Sequence, residues 1–135
     1  MRRRRLWRTV LFVVKGLKYH DEKLYKGKFL ILLLYIIFAI IVGTLAFVLK
    51  KKHSQFPDFK IGYHNKKIME NKETWECANN TAGNLCALFA VIGIVVSAIL
   101  YFVHVNIGVA IIVFFIYSIT AILTILIVPV QLSRK

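Results

Sequence analysis

The chain has 135 residues, 59% of them hydrophobic, and a formal net charge of +13. So much apolar sequence in so short a chain excludes an ordinary soluble domain, because its longest runs carry no polar stripe for water. The basic excess suits anionic lipid headgroups, and no recognisable nucleic-acid-binding module accompanies it.

Residues 1–28 form a basic amphipathic segment. Arg2–Arg5 open it, and Arg4, Arg8, Lys15, Glu22 and Lys26 fall near one line of a helical wheel. Val10, Val13, Val14 and Leu17 lie opposite. This pattern predicts an interfacial helix on anionic membrane, with a flexible basic tail as the alternative. The run Val10–Val14 is too short to span a bilayer. Gly16 and the patch Tyr19-His20-Asp21-Glu22 predict a weak point or turn.

Three uncharged runs follow: Phe29–Leu49, Leu85–Val103 and Ile107–Val130, of 21, 19 and 24 residues. At about 1.5 Å per residue each is long enough to cross a hydrocarbon core of about 30 Å. The first is too long and too late for a cleavable signal, and it ends in Lys50-Lys51-Lys52. The predicted fold is therefore an all-α integral membrane protein with three transmembrane helices and an N-terminal basic amphipathic helix.

Small residues spaced four apart, Ala39 with Gly43 and Gly93 with Ser97, predict that the first two spans cross against each other. In the third span Ser118, Thr120 and Thr124 can bond to carbonyls of their own helix, and Pro129 can close it. Val105-Asn106-Ile107-Gly108 predicts a tight helical hairpin in which Asn and Gly tolerate left-handed backbone. His104 is placed to snorkel toward the headgroups. Cys77 and Cys86, nine residues apart on one predicted helix, lie about 13 Å apart, too far for a disulfide.

The loop 50–81 is the only polar stretch with room for specific contacts. Phe56-Pro57-Asp58-Phe59 predicts a turn, and Gly62 a sharp bend before Tyr63. Asn71 is a suitable N-cap, with Glu73 in the first turn where the helix dipole favours an acid. The helix begun there should run straight into the second span, with Trp75, Asn79, Ala82 and Cys86 on one face. Trp75 then stands about 15 Å outside the uncharged run, so it should pack on the loop or on a partner. Glu73 and Glu76 are expected to be solvated. His53, Asp58, His64 and Cys77 lack the short paired spacing of zinc ligands. No phosphate-cradling loop or nucleophile motif appears, so the sequence predicts no enzyme, no cofactor and no metal. Asn79-Asn80-Thr81 matches a glycosylation sequon, on a predicted helix close to the membrane.

The run from Gly62-Tyr63-His64 through Asn71-Lys72-Glu73-Thr74-Trp75 to Ala78-Asn79 and Gly83 resembles the signature of the SdpI family, small bacterial membrane proteins. The resemblance covers roughly Ile41 to Leu132, so 29–132 is expected to be an SdpI-like three-helix domain. It makes Tyr63, His64, Asn71, Trp75 and Asn79 the candidate partner-binding residues. His64 stands where the family usually has Arg, and Asn80 and Asn84 where a basic residue is common. The resemblance implies an immunity factor of the bacterial cell membrane that protects the producing cell from a secreted membrane-active peptide or bacteriocin. Some relatives also signal to a transcriptional repressor. An accessory subunit of a larger membrane complex, such as an exporter, is the alternative. Ten basic residues precede Phe29 and nine follow Leu49, so charge does not orient the chain. The resemblance places the loop and the C-terminus in the cytoplasm.

Overall fold

A computed structural model describes the backbone of residues 2–133 and the side chains of 8–19 and 21–133. The side chains of Arg2–Arg5 lie outside the described residues. Three helices make up the chain: α1 (Arg2–Lys51), α2 (Lys72–Phe102) and α3 (Ile107–Leu132). Each is long and apolar enough to cross a membrane. The loop of the sequence analysis joins α1 to α2, and a short hairpin joins α2 to α3.

α1 and α2 form an antiparallel pair, and α3 packs alongside, parallel to α1. Near the loop, Val42 and Ala46 of α1 bury Cys86 of α2. Near the hairpin, Ile31 and Tyr35 of α1 meet Ala110 of α3, with Val96 and Leu100 of α2 beside them. Lipid tails supply no hydrophobic drive between helices, so close backbone approach and aromatic packing carry the association. A Cβ on Gly83 would lie 3.2 Å from the Ala46 carbonyl oxygen and 2.9 Å from Lys50 Cγ. A Cβ on Gly43 would lie 3.9 Å from Ala90. In the middle, Tyr35 stands edge-on to Phe114 at 4.9 Å and Phe38 edge-on to Tyr117 at 5.6 Å, geometries that favour the ring quadrupoles.

Four local expectations are corrected. The helix runs unbroken through Gly16 and the patch 19–22. One helical Gly costs only about 1 kcal/mol relative to Ala, too little to break a helix of good formers. Gly27, on the same continuous helix, lies against Ile107 of α3. Gly93 faces Tyr117 of α3, not α1. The left-handed residue of the hairpin is His104, at φ 57. It follows the C-cap Val103, the usual place for that conformation, while Asn106 caps α3 by accepting from the Gly108 N–H. Pro129 lies inside α3, which continues to Leu132.

The third-span hydroxyls follow expectation at Thr120 and Thr124, which donate to the Ile116 and Thr120 carbonyls. Both cysteines are free, Cys77 exposed and Cys86 buried.

Candidate functional site: the loop between the first two spans

The site is built around the first turns of α2. The Asn71 side chain accepts from the Thr74 N–H at 2.9 Å and caps the helix, as predicted. Thr74 then donates its hydroxyl to the Ile68 carbonyl at 2.9 Å, which ties the loop to the cap. One turn on, Trp75, Ala78, Asn79, Ala82, Gly83 and Cys86 are buried, so the expected shared face is the packed face of α2.

Trp75 is fully enclosed by the loop itself. Its indole N–H donates to the Ser54 carbonyl at 2.8 Å. Phe59 stacks edge-on to it at 4.9 Å, and His64 at 6.1 Å. Ile68, also fully buried, and Ala78 complete the cluster, with Phe56, Met69 and Val130 at its margin. Burying an indole together with its one donor satisfies both requirements of the side chain.

Asn79 supplies the second set of ties. Its Oδ1 accepts from the Tyr63 N–H at 2.8 Å, and its Nδ2 donates to the Trp75 carbonyl at 2.8 Å. Gly62 makes this approach feasible. Its φ is +150, and a Cβ there would lie 2.6 Å from the Trp75 ring and 2.8 Å from Asn79 Oδ1. Any side chain at 62 would thus meet both anchors of the loop. Ser54 closes the other edge: its N–H donates to the Ile61 carbonyl at 2.7 Å, and its hydroxyl accepts from the Ile61 N–H at 2.9 Å.

Tyr63 carries the loop across to α3, where its hydroxyl donates to the Leu126 carbonyl. Pro129, one turn on, has no N–H to give Ile125, which loosens the α3 ladder at this level. Burial pushes the Tyr63 phenol up, so it remains a protonated donor at neutral pH. His64 bonds through Nε2 to the Phe59 carbonyl, which places a proton on that nitrogen.

These placements sort the five candidate residues. Trp75 and Asn79 are fully buried and hold the loop in shape, so neither is open to a partner in this conformation. Asn79 is for the same reason closed to glycosylation. His64 and Asn71 are exposed, and Tyr63 is half-buried. Lys66 and Lys67 are exposed beside them and form no ion pair among the described residues. The loop's ion pairs, Lys60 with Asp58 at 3.4 Å and Lys72 with Glu76 at 3.8 Å, are solvent-exposed and of small energetic weight. Glu73 and Glu76 are exposed. Among the described residues no three His, Cys, Asp or Glu side chains come together. His53, Asp58, His64 and Cys77 do not converge. The sequence pattern gives no role to Ser54, Ile68 or the Leu126 carbonyl, and marks Phe59 only as part of a turn. No spacing rule links them to Trp75 or Tyr63, because the contacts bridge 21 and 63 positions for Ser54 and Leu126.

The SdpI/YfhL protein family model matches residues 57–130. The chain belongs to this family. The match runs from the Phe56-Pro57 turn through α2 to the level of Val130, so it holds most of the loop and both helices that the loop ties together. No curated protein and no solved structure matches the chain. SdpI/YfhL membership, with three apolar helices, makes this a multi-pass membrane protein with an immunity-type role at the level of the family. Gly62, Tyr63, Trp75 and Asn79, the family-like positions, are the residues that close the loop onto α2 and α3.

Proposed function

We propose that this chain is an immunity factor of the bacterial cell membrane, protecting its producer from a secreted membrane-active peptide. One observation carries the reading: the family motif folds into a closed, hydrogen-bonded cap on the membrane ends of α2 and α3. Such a cap holds Tyr63, His64, Lys66 and Lys67 in fixed positions at the membrane boundary. A peptide that inserts across the bilayer meets this level, where polar loop and apolar spans adjoin. Contact there needs no chemistry, and we propose no enzymatic activity. Signalling to a repressor would use the same cap from its water-facing side.

Expression in a sensitive bacterium tests the proposal. Cells should gain tolerance to a candidate peptide encoded beside the gene. Protection should be lost with Tyr63→Phe, which removes the tie to α3, and kept with Glu73→Gln. If no such peptide is neutralised and the protein co-purifies stoichiometrically with a larger membrane assembly, the accessory-subunit reading replaces this one.

A further inference from the structure

The opposite end of the bundle carries a second polar cleft, where α1 leaves the membrane. Tyr25 and Lys28 of α1, Tyr101 of α2 and His104 of the hairpin line a cavity of about 70 Å³. The two phenols meet there in a hydrogen bond to each other. Its lining offers an ammonium, two phenolic hydroxyls and an imidazole, and no carboxylate. The Lys28 ammonium and the phenolic hydrogen not used between Tyr25 and Tyr101 are the donors left to meet an anion. His104 Nδ1 is engaged with the Phe102 carbonyl at 2.8 Å.

Depth and shape narrow the anion. Lys28 adjoins the start of the uncharged run at Phe29, and His104 follows the end of the run at Val103. The cleft therefore lies at headgroup level. Below Lys28 and Tyr101 the helices close up at Ile31, Ser97 and Ala110, leaving only about 10 Å³, so no chain enters between them. A polar cleft at this depth, beside the exposed apolar side chains of Phe29, Phe102 and Val103, fits a headgroup phosphate whose acyl chains stay in the bilayer against them; a free phosphate makes no use of that surface. Above the cleft, Lys23 and Lys26 on α1 raise the local positive potential, and Asp21 and Glu22 on the same stretch offset it in part. Glu22 lines a separate shallow hollow with Tyr25, Lys26 and Phe29.

We infer that the Tyr25–Lys28–Tyr101–His104 cleft is a binding site for an anionic phospholipid. The inference is independent of the immunity reading and involves the other end of the molecule.

The test is native mass spectrometry of the full-length protein released from detergent, titrated with phosphatidylglycerol or phosphatidylcholine. The wild type should retain one phosphatidylglycerol in preference to phosphatidylcholine. The pair Lys28→Gln with His104→Gln should lower retention by about fivefold or more, the weight of the one ammonium removed. Lys72→Gln, at the far end, should leave it unchanged. Tyr101→Phe keeps the ring and loses a donor, and should also lower retention if the double variant proves unstable. Equal retention by wild type and variants would overturn the site, leaving only a belt of interfacial tyrosine and lysine. Equal retention of the two lipids would overturn its preference for an anion, and displacement by millimolar inorganic phosphate would overturn the lipid as ligand.

Discussion

The two ends of this bundle are built on different principles. At the loop end the chain folds back on itself, buries Trp75, Ile68 and Asn79, and spends its polar groups on its own backbone. At the hairpin end the connection is a few residues long, and α1 runs on past it for about 40 Å. There Val10, Phe12, Val13 and Leu17 stay open to the surroundings. One end has a shape set from within, whereas the other leaves its apolar side chains uncovered. The SdpI/YfhL match covers most of the loop, α2, the hairpin and α3 as far as Val130, and leaves α1 out.

Substitutions can break this contrast, and the largest effect should come from Trp75→Ala. Emptying that enclosed site should cost about 3–5 kcal/mol and lower the amount of protein in the membrane. A melt in detergent, with quantitation of inserted protein, reads it directly. An abundant and fully protective variant would show that the indole is no part of the cap.

Gly62→Ala comes next. The new methyl would overlap the Trp75 ring and Asn79 Oδ1, and the backbone sits where L side chains are strained. We expect a loss of about 1–3 kcal/mol, with proteolysis now reaching the lysines near residue 66. Gly16→Ala sharpens the comparison, because nothing lies within 4 Å of a Cβ there. The same change should raise the helicity of the α1 extension by about 1 kcal/mol of local stability and leave the loop alone. Helical circular dichroism and the loop's protease resistance separate the two outcomes.

Asn71→Ala should cost about 1 kcal/mol through the lost cap. His64→Arg should cost least, since a guanidinium can also donate to the Phe59 carbonyl and the position is exposed. Thermal melts rank both, and protection assays should find the Arg variant active.

What could be read from the sequence followed range. The spans, the Asn71 cap and the face Trp75–Asn79–Ala82–Cys86 arise within one helix or one turn, where residue type and periodicity act directly. The structure shares them. The closure of the loop was legible only as an expectation that Trp75 packs somewhere. Its acceptor on Ser54, and the tie from Tyr63 to Leu126, depend on α1 and α3 arriving beside α2, which no local pattern encodes. Gly62 signalled a bend, but its tighter constraint is the ring it lies against. At the hairpin, Asn106 was rightly a special residue and wrongly the left-handed one. An Asn can cap the next helix as well as reverse the chain, and here His104 makes the reversal. Pro129 marked an end that α3 does not take, because a proline in the last turns forfeits few hydrogen bonds.

Hydrogen exchange of the full chain in lipid nanodiscs tests the central claim most directly, that the loop is a cap closed by Trp75, Asn79 and Tyr63. The account predicts slow exchange at the Ser54, Ile61 and Tyr63 amides, each of which donates within the loop or to Asn79. In Gly62→Ala that protection should disappear, while the amides of the α1 extension keep their rates. Exchange of those three amides in the wild type at the rate of an unstructured chain would contradict the account.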